Sequence, residues 1–167
     1  MNEFTTEWFK CSEGVLKNHV DIEVRQRYCF IITKDKKTVI VSKDNKSWQF
    51  SGGHPESNEG WQDTLKREIW EETGIDISKQ INNIVKLGYY LIKSPTEQFL
   101  QERYLLVLDE ISESLSLEPH ESEEDVTPIV KYVKAVSVNQ IGEYIPWTLE
   151  AEGWNSAVKY YRENFIK

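Results

Sequence analysis

Residues 53–75 constrain the fold and chemistry of this chain more than any other part of its sequence. Gly52 and Gly53 precede a stretch in which Glu68, Glu71 and Glu72 stand three and four residues apart. Side chains at that spacing lie on one side of a helix, so the three carboxylates are expected to project together. Such close like charges repel unless a cation lies among them, and hard divalent cations such as Mg²⁺ prefer oxygen ligands. The segment therefore predicts a metal site on a helix that follows a glycine loop.

The residues on either side of this segment predict strands and two helices. Trp61, Leu65 and Ile69 recur every four residues before Gly74, which predicts a helix over residues 61–73. Apolar residues from Trp147 onward predict an amphipathic helix at the end of the chain. β-Branched and apolar runs predict strands at 20–33, 38–42, 47–50, 84–92, 99–108 and 129–138, the first two as a hairpin. This order favours an α/β/α sandwich with a mixed β-sheet.

Composition restricts the partners and the cellular location. The chain has 167 residues, of which 39% are hydrophobic, so we expect one domain over residues 1–167. Its 20 basic and 28 acidic side chains give 20 − 28 = −8, which argues against binding to long nucleic acids. The sequence lacks a membrane-length apolar run and a secretory leader, so no membrane partner is expected. Cys11 and Cys29 are too few for a disulfide framework and suit reduced thiols in a cytoplasmic protein.

The segment 53–75 resembles the signature of the Nudix hydrolases, Gly-x5-Glu-x7-Arg-Glu-aliphatic-x-Glu-Glu-x-Gly-aliphatic. With average residue usage, such a match arises by chance about once in a billion starting positions. The loop departs from the family at Ser51, where Pro is frequent, and at Asn58, where Gly is frequent. Every specified position of the signature is filled, by Gly53, Glu59, Arg67, Glu68, Ile69, Glu71, Glu72, Gly74 and Ile75.

The resemblance implies a hydrolase that needs Mg²⁺ or Mn²⁺ and cleaves the diphosphate linkage of a nucleoside diphosphate derivative. A nucleoside triphosphate or a nucleotide sugar is the expected kind of substrate. Bound metal neutralises the diphosphate oxygens and lowers the pKa of bound water. Carried over residue by residue, the metal ligands are Gly52, Glu68, Glu71 and Glu72, and the catalytic group is Glu59, Arg67 and Glu71. Gly53 and His54 are the expected substrate contacts, because glycine backbone allows close approach of a phosphate.

Several alternatives stay open at this point. A non-catalytic Nudix-fold module that binds a nucleotide or sugar nucleotide is one, although such modules are expected to lose signature carboxylates. An RNA-end hydrolase is another, which the charge of −8 disfavours. The general base is a signature glutamate or a carboxylate of the acidic loop 110–125, which can also be a plain solvated loop. A homodimer is left open. Two roles stay open for a set of aromatic side chains, stacking on a nucleobase or packing in the core; they are Trp48, Phe50, Tyr89, Tyr90, Phe99 and Tyr104. The candidate general bases in the acidic loop are Glu121, Glu123 and Glu124.

Overall fold

Eight strands and three helices form within residues 4–11, 19–111, 117–120 and 129–166, which the computed structural model describes. Short 3-10 turns lie at Ile81–Asn83, Val138–Gln140 and Pro146–Leu149. The strands are β1 (Thr5–Lys10), β2 (Val24–Thr33), β3 (Lys37–Ser42), β4 (Trp48–Gln49), β5 (Ser51–Gly53), β6 (Val85–Lys93), β7 (Gln98–Leu108) and β8 (Tyr132–Ser137). The helices are α1 (Trp61–Thr73), α2 (Ile141–Tyr144) and α3 (Glu152–Phe165).

The sheet is mixed, with β2 at its centre. Its strand order is β1-β6-β7-β2-β3-β4, with β5 added beside β2 and β8 beside β3. Strands β2 and β7 run parallel, and the other pairs are antiparallel. Strand β5 carries the two glycines, and Gly52 lies opposite Tyr28 while Gly53 lies opposite Arg27. The glycine loop is therefore fixed to the central strand.

Alternating residues of β2 face two different helices. Ile31 is buried in one apolar cluster with Leu65 of α1, whereas Ile32 is buried in another with Trp154 of α3. Because successive side chains of a strand point to opposite faces, one strand supplies both cores. Helix α1 thus covers one face and α3 the other, which confirms the α/β/α sandwich with a mixed sheet. No helix in the described part of the chain is long and apolar enough to cross a membrane.

The element boundaries differ from the sequence prediction in several places. Helix α1 spans the predicted residues, and Gly74 ends it at φ 74° with its N–H on the Trp70 carbonyl at 2.9 Å. Strand β1 was not predicted, since its pairing with β6 joins segments some eighty residues apart. The first predicted strand begins later, the strand predicted at 47–50 is reduced to β4, and the two glycines that were predicted in a loop form β5. The last helix begins at Glu152 and not at Trp147, because Trp147 lies in a 3-10 turn and Ala151 is extended.

Candidate functional site

The glycine loop lies so close to its neighbours that side chains do not fit. Gly52 has φ 148°, and a Cβ built on it would lie 2.1 Å from the Arg27 carbonyl oxygen. A Cβ on Gly53 would lie 2.4 Å from Oε1 of Glu68. Gly52 is therefore required by the backbone of β2, whereas Gly53 makes room for a carboxylate of α1.

Glu72 joins the glycine loop to α1. The Gly52 N–H donates a 2.9 Å hydrogen bond to Oε2 of Glu72, whose side chain is buried. A carboxylate in this position is held by a charge-assisted hydrogen bond and is costly to bury without one. This contact sets the distance between the loop backbone and the first helix.

Arg67 is the centre of the carboxylate cluster. Its Nε and Nη2 donate to the two oxygens of Glu59 at 2.8 and 2.9 Å, which is a bidentate pair. Its Nη1 donates to Glu68 at 2.9 Å and to Glu71 at 3.3 Å. Its Nη2 also donates to the His54 carbonyl at 3.0 Å, and its Nε lies 3.7 Å from a carboxylate oxygen of Glu56. One guanidinium thus neutralises part of the charge of four glutamates and ties the loop to the helix.

The Arg67 pair also sets the ionisation of Glu59. Hydrogen bonds from Arg67, assisted by the Glu56 N–H at 2.9 Å, lower the pKa of Glu59 to about 2. The same interaction raises the pKa of Arg67 above its ordinary value. Both groups consequently stay charged throughout the physiological range.

A cavity of about 530 Å³ brings most of the predicted site residues together. Glu59 is not among the lining residues, and it contacts Arg67 from behind. The His54 side chain is exposed at the edge. The predicted residues that line the cavity are Gly52, Gly53, His54, Arg67, Glu68, Glu71 and Glu72.

The donor chemistry of this cavity fits a hard divalent cation. Three carboxylates and the Gly52 carbonyl supply oxygen alone, which Mg²⁺ and Mn²⁺ prefer. Within the described ranges, no three acidic, histidine or cysteine side chains converge on one point as they stand. Glu68 and Glu71 are instead turned toward Arg67. The residues therefore fit the cation by type and by position on one cavity wall.

A second charged network, which the sequence analysis missed, supports α1 from the sheet. Arg27 of β2 donates to Glu102 of β7 at 3.0 Å and to the Thr64 hydroxyl of α1 at 2.8 Å. Glu102 is buried and also accepts from Lys86 and from the Tyr104 hydroxyl. Burial alone would raise the pKa of Glu102, but these three partners bring it below its ordinary value. Charged residues at the middle of an apolar strand were the available sequence signal.

The described residues 117–120 of the acidic loop lie against the C-terminal part of α1. The His120 N–H donates to the Glu71 carbonyl at 2.5 Å, and the Glu118 N–H donates to the Thr73 carbonyl at 3.1 Å. The His120 ring stacks on Trp70, with ring centroids 4.6 Å apart. The loop therefore reaches the carboxylate helix. The candidate bases Glu121, Glu123 and Glu124 lie outside the described residues.

The loop departures from the signature have different structural outcomes. Asn58 adopts φ 69°, a left-handed conformation that Asn tolerates better than most residues, so it replaces a glycine there. Ser51 is buried, and its hydroxyl has no hydrogen-bond partner among the described residues. The first departure is conformationally neutral, whereas the second leaves a polar atom unsatisfied.

Comparison with known proteins agrees with this geometry. A family model described as the NUDIX domain matches residues 24–159. The pyrophosphohydrolase BsRppH of Bacillus subtilis, in a mutant form, is 14% identical with TM-score 0.61, over 98% of this chain and 94% of that one. The NUDIX domain of Shewanella oneidensis NrtR, complexed with ADP ribose, is 13% identical with TM-score 0.61, over 90% and 99%. The Ap4A hydrolase of C. elegans is 13% identical with TM-score 0.58, over 84% and 98%. These three likenesses show a shared fold.

Proposed function

Because this chain belongs to the NUDIX domain family, we propose that it is a metal-dependent hydrolase that cleaves the diphosphate linkage of a nucleoside diphosphate derivative. The main support for the proposal is that Glu68, Glu71 and Glu72 line the same cavity as the glycine loop. The proposal treats residues 1–167 as one domain. The substrate class is also the one to which ADP ribose, bound in the NrtR structure, belongs.

Each signature residue has a role that its surroundings support. Glu68, Glu71, Glu72 and the Gly52 carbonyl would hold the cation, which supplies charge neutralisation and activation of water. Glu59 orients Arg67 through the bidentate pair, and Arg67 in turn orients Glu68 and Glu71. Gly53 and the exposed His54 border the space for the diphosphate.

Glu71 is the signature carboxylate best placed to accept a proton. Its side chain is 34% exposed, against 13% for Glu68, and Glu72 is buried on the Gly52 N–H. In the proposed step, water forms a bond to phosphorus while the anhydride P–O bond breaks. The proton of that water passes to a carboxylate oxygen of Glu71, and the leaving phosphate departs as an anion.

A binding module of the same fold is the competing function. It predicts retention of a nucleotide without metal-dependent hydrolysis. The test is a panel of nucleoside triphosphates, nucleotide sugars, ADP-ribose and dinucleoside polyphosphates with Mg²⁺ or Mn²⁺, with the two phosphorylated products of each cleavage separated by chromatography. Cleavage of any member into two phosphorylated products supports the hydrolase. Tight binding of a member without cleavage of any of them supports the module.

The variant Glu72→Gln sharpens this test, since it removes a charge and keeps the shape. We expect turnover to fall about 100-fold or more, which corresponds to about 3 kcal/mol of transition-state stabilisation. Glu163→Gln on the exposed surface of α3 is the matched control and should leave turnover unchanged. Turnover of Glu72→Gln within about threefold of wild type would disprove the assigned role.

A further inference from the structure

Arg103 of β7 is a buried cation without an acidic partner. Only 8% of the residue is exposed, and none of the ion pairs in the described part of the chain includes it. Its donors reach the Gln101 side-chain oxygen at 3.0 Å and the Glu102 carbonyl at 3.2 Å. Burial lowers the pKa of Arg103 to about 10, so the group remains charged at neutral pH. A buried charge without a counter-ion costs stability, which calls for a functional reason.

Arg103 lies at the bottom of a groove that continues from the carboxylate cavity. We call it the aromatic groove and define it by Tyr28, Tyr90, Arg103 and Trp147. It consists of two cavities, of about 240 and 460 Å³, which share Gln101, Arg103 and Trp147 as lining residues. The smaller one shares Tyr28 and Gln49 with the carboxylate cavity. A ligand bound at the carboxylates can therefore extend into the aromatic groove.

The walls of the groove suit a flat ring. The guanidinium carbon of Arg103 lies 4.7 Å from the ring centroid of Tyr28 and 5.1 Å from that of Tyr90. Trp147, at the rim, is 51% exposed, which is unusual for so large an aromatic side chain. An exposed indole beside a buried cation offers both a stacking surface and hydrogen-bond donors.

The charges around the groove disfavour a phosphate as the occupant. Arg103 is the one cation that lines its two cavities, whereas Glu150 and Glu152 line the outer one. Two carboxylates would repel a phosphate group, but they do not oppose a neutral ring. The part of the ligand that reaches Arg103 is therefore expected to be uncharged.

The polar atoms at the bottom of the groove select hydrogen-bond acceptors. The Gln101 side-chain oxygen already accepts from Arg103, and its amide nitrogen donates to Gln26. Arg103 has donors alone, and guanine presents two adjacent acceptors, O6 and N7, to such a group. Adenine places an amino donor next to N7, which opposes an arginine.

We propose that the aromatic groove binds the nucleobase of the substrate, and that Arg103 makes it prefer guanine over adenine. This inference rests on the proposed function for the nature of the substrate, but its binding step does not need metal or hydrolysis. Trp147 stacks on the base, and Arg103 donates to its O6 edge. Arg103 is thus a specificity-determining residue.

The test compares the affinities of the metal-free protein for GMP and AMP, two nucleotides that differ in the base alone. Both affinities are measured by tryptophan fluorescence or calorimetry. We expect GMP to bind about tenfold more tightly than AMP. Arg103→Met should abolish this difference. Arg25→Met is the matched control, because Arg25 also stacks on a ring, Phe99 at 4.0 Å, but pairs with Glu97 and Glu23. It should leave the preference for GMP intact.

Folding and function are separable in this experiment. Arg103→Met removes a buried unpaired charge, so its melting temperature should equal or exceed that of wild type. If that variant does not fold, Trp147→Ala takes its place and should weaken both nucleotides several-fold. Equal affinity for GMP and AMP in wild type, or an unchanged preference in Arg103→Met, overturns the proposal.

The outcome also distinguishes this inference from the proposed hydrolase. A preference for GMP without metal-dependent hydrolysis of any panel member retains the base site and disproves the hydrolase. Hydrolysis of adenine and guanine nucleotides alike, unaffected by Arg103→Met, retains the hydrolase and disproves the guanine preference.

Discussion

Gly53 and Glu68 fit together only because Gly53 lacks a side chain, since a Cβ would lie 2.4 Å from one carboxylate oxygen and 2.8 Å from the other. The obstructing atoms are the far end of a side chain and not backbone. An added methyl group therefore displaces the Glu68 carboxylate and leaves the sheet in place.

We expect Gly53→Ala to lower metal-dependent turnover about tenfold or more while the unfolding free energy changes by less than about 1 kcal/mol. The measurement pairs urea unfolding with hydrolysis of the panel substrate that turns over fastest. Gly60→Ala is the control, because a Cβ there has its nearest contact at 3.6 Å, an ordinary distance. Normal turnover of Gly53→Ala would show that the close approach of Gly53 to Glu68 is not needed for catalysis.

Acid should weaken the contact of Glu59 with Arg67. The pKa of Glu59 in the folded protein is about 2, below the ordinary 4.5. The stability that ionised Glu59 adds to the fold is therefore complete above pH 4.5 and is lost as the pH falls toward 2. Wild type should thus lose about 1–2 kcal/mol more than Glu59→Gln between pH 6 and pH 3, since some solvent reaches the pair. Urea unfolding at both pH values measures this. Parallel losses in the two proteins would contradict the shifted pKa.

The buried network at Arg27 should stabilise the fold more than a comparable surface pair. Arg27→Met leaves Glu102 short of one charged partner in the interior, and we expect a loss of about 3 kcal/mol in unfolding free energy. Arg25→Met breaks pairs with Glu23 and Glu97 that solvent reaches, and should cost less than about 1 kcal/mol. Chemical denaturation of both variants measures the two losses. Equal losses would show that the buried Arg27 network stabilises the fold no more than the surface pairs of Arg25.

Two buried serines should respond oppositely to the same substitution. The Ser51 hydroxyl has no partner in the described structure, so Ser51→Ala should raise the unfolding free energy by about 1 kcal/mol. Ser42 donates to the Ser47 carbonyl at 2.7 Å, and Ser42→Ala should lower it by about 1–2 kcal/mol. Thermal unfolding of both variants tests the contrast. A loss of stability in Ser51→Ala would mean that its hydroxyl is satisfied in solution.

Much of the carboxylate site was predictable because its signals are local. Helical spacing alone places Glu68, Glu71 and Glu72 along one side of α1, and Gly74 ends that helix as expected. The positions of most strands along the chain and the α/β/α class also followed from apolar runs, whereas their order in the sheet did not. The nine signature positions identified the family, which the match over residues 24–159 shows.

Other features depend on contacts between residues far apart in the chain. Strand β1 exists through its pairing with β6, and the Arg27–Glu102 pair joins positions 75 residues apart. The packing of β7 between β2 and β6 also buries Arg103 between Tyr28 and Tyr90. Burial is a property of packing, so no local pattern distinguishes such an arginine from one at the surface. The sequence by itself determined the helix that carries the carboxylates, whereas the tertiary structure alone decided which arginine meets a carboxylate and which is buried without one among the described residues.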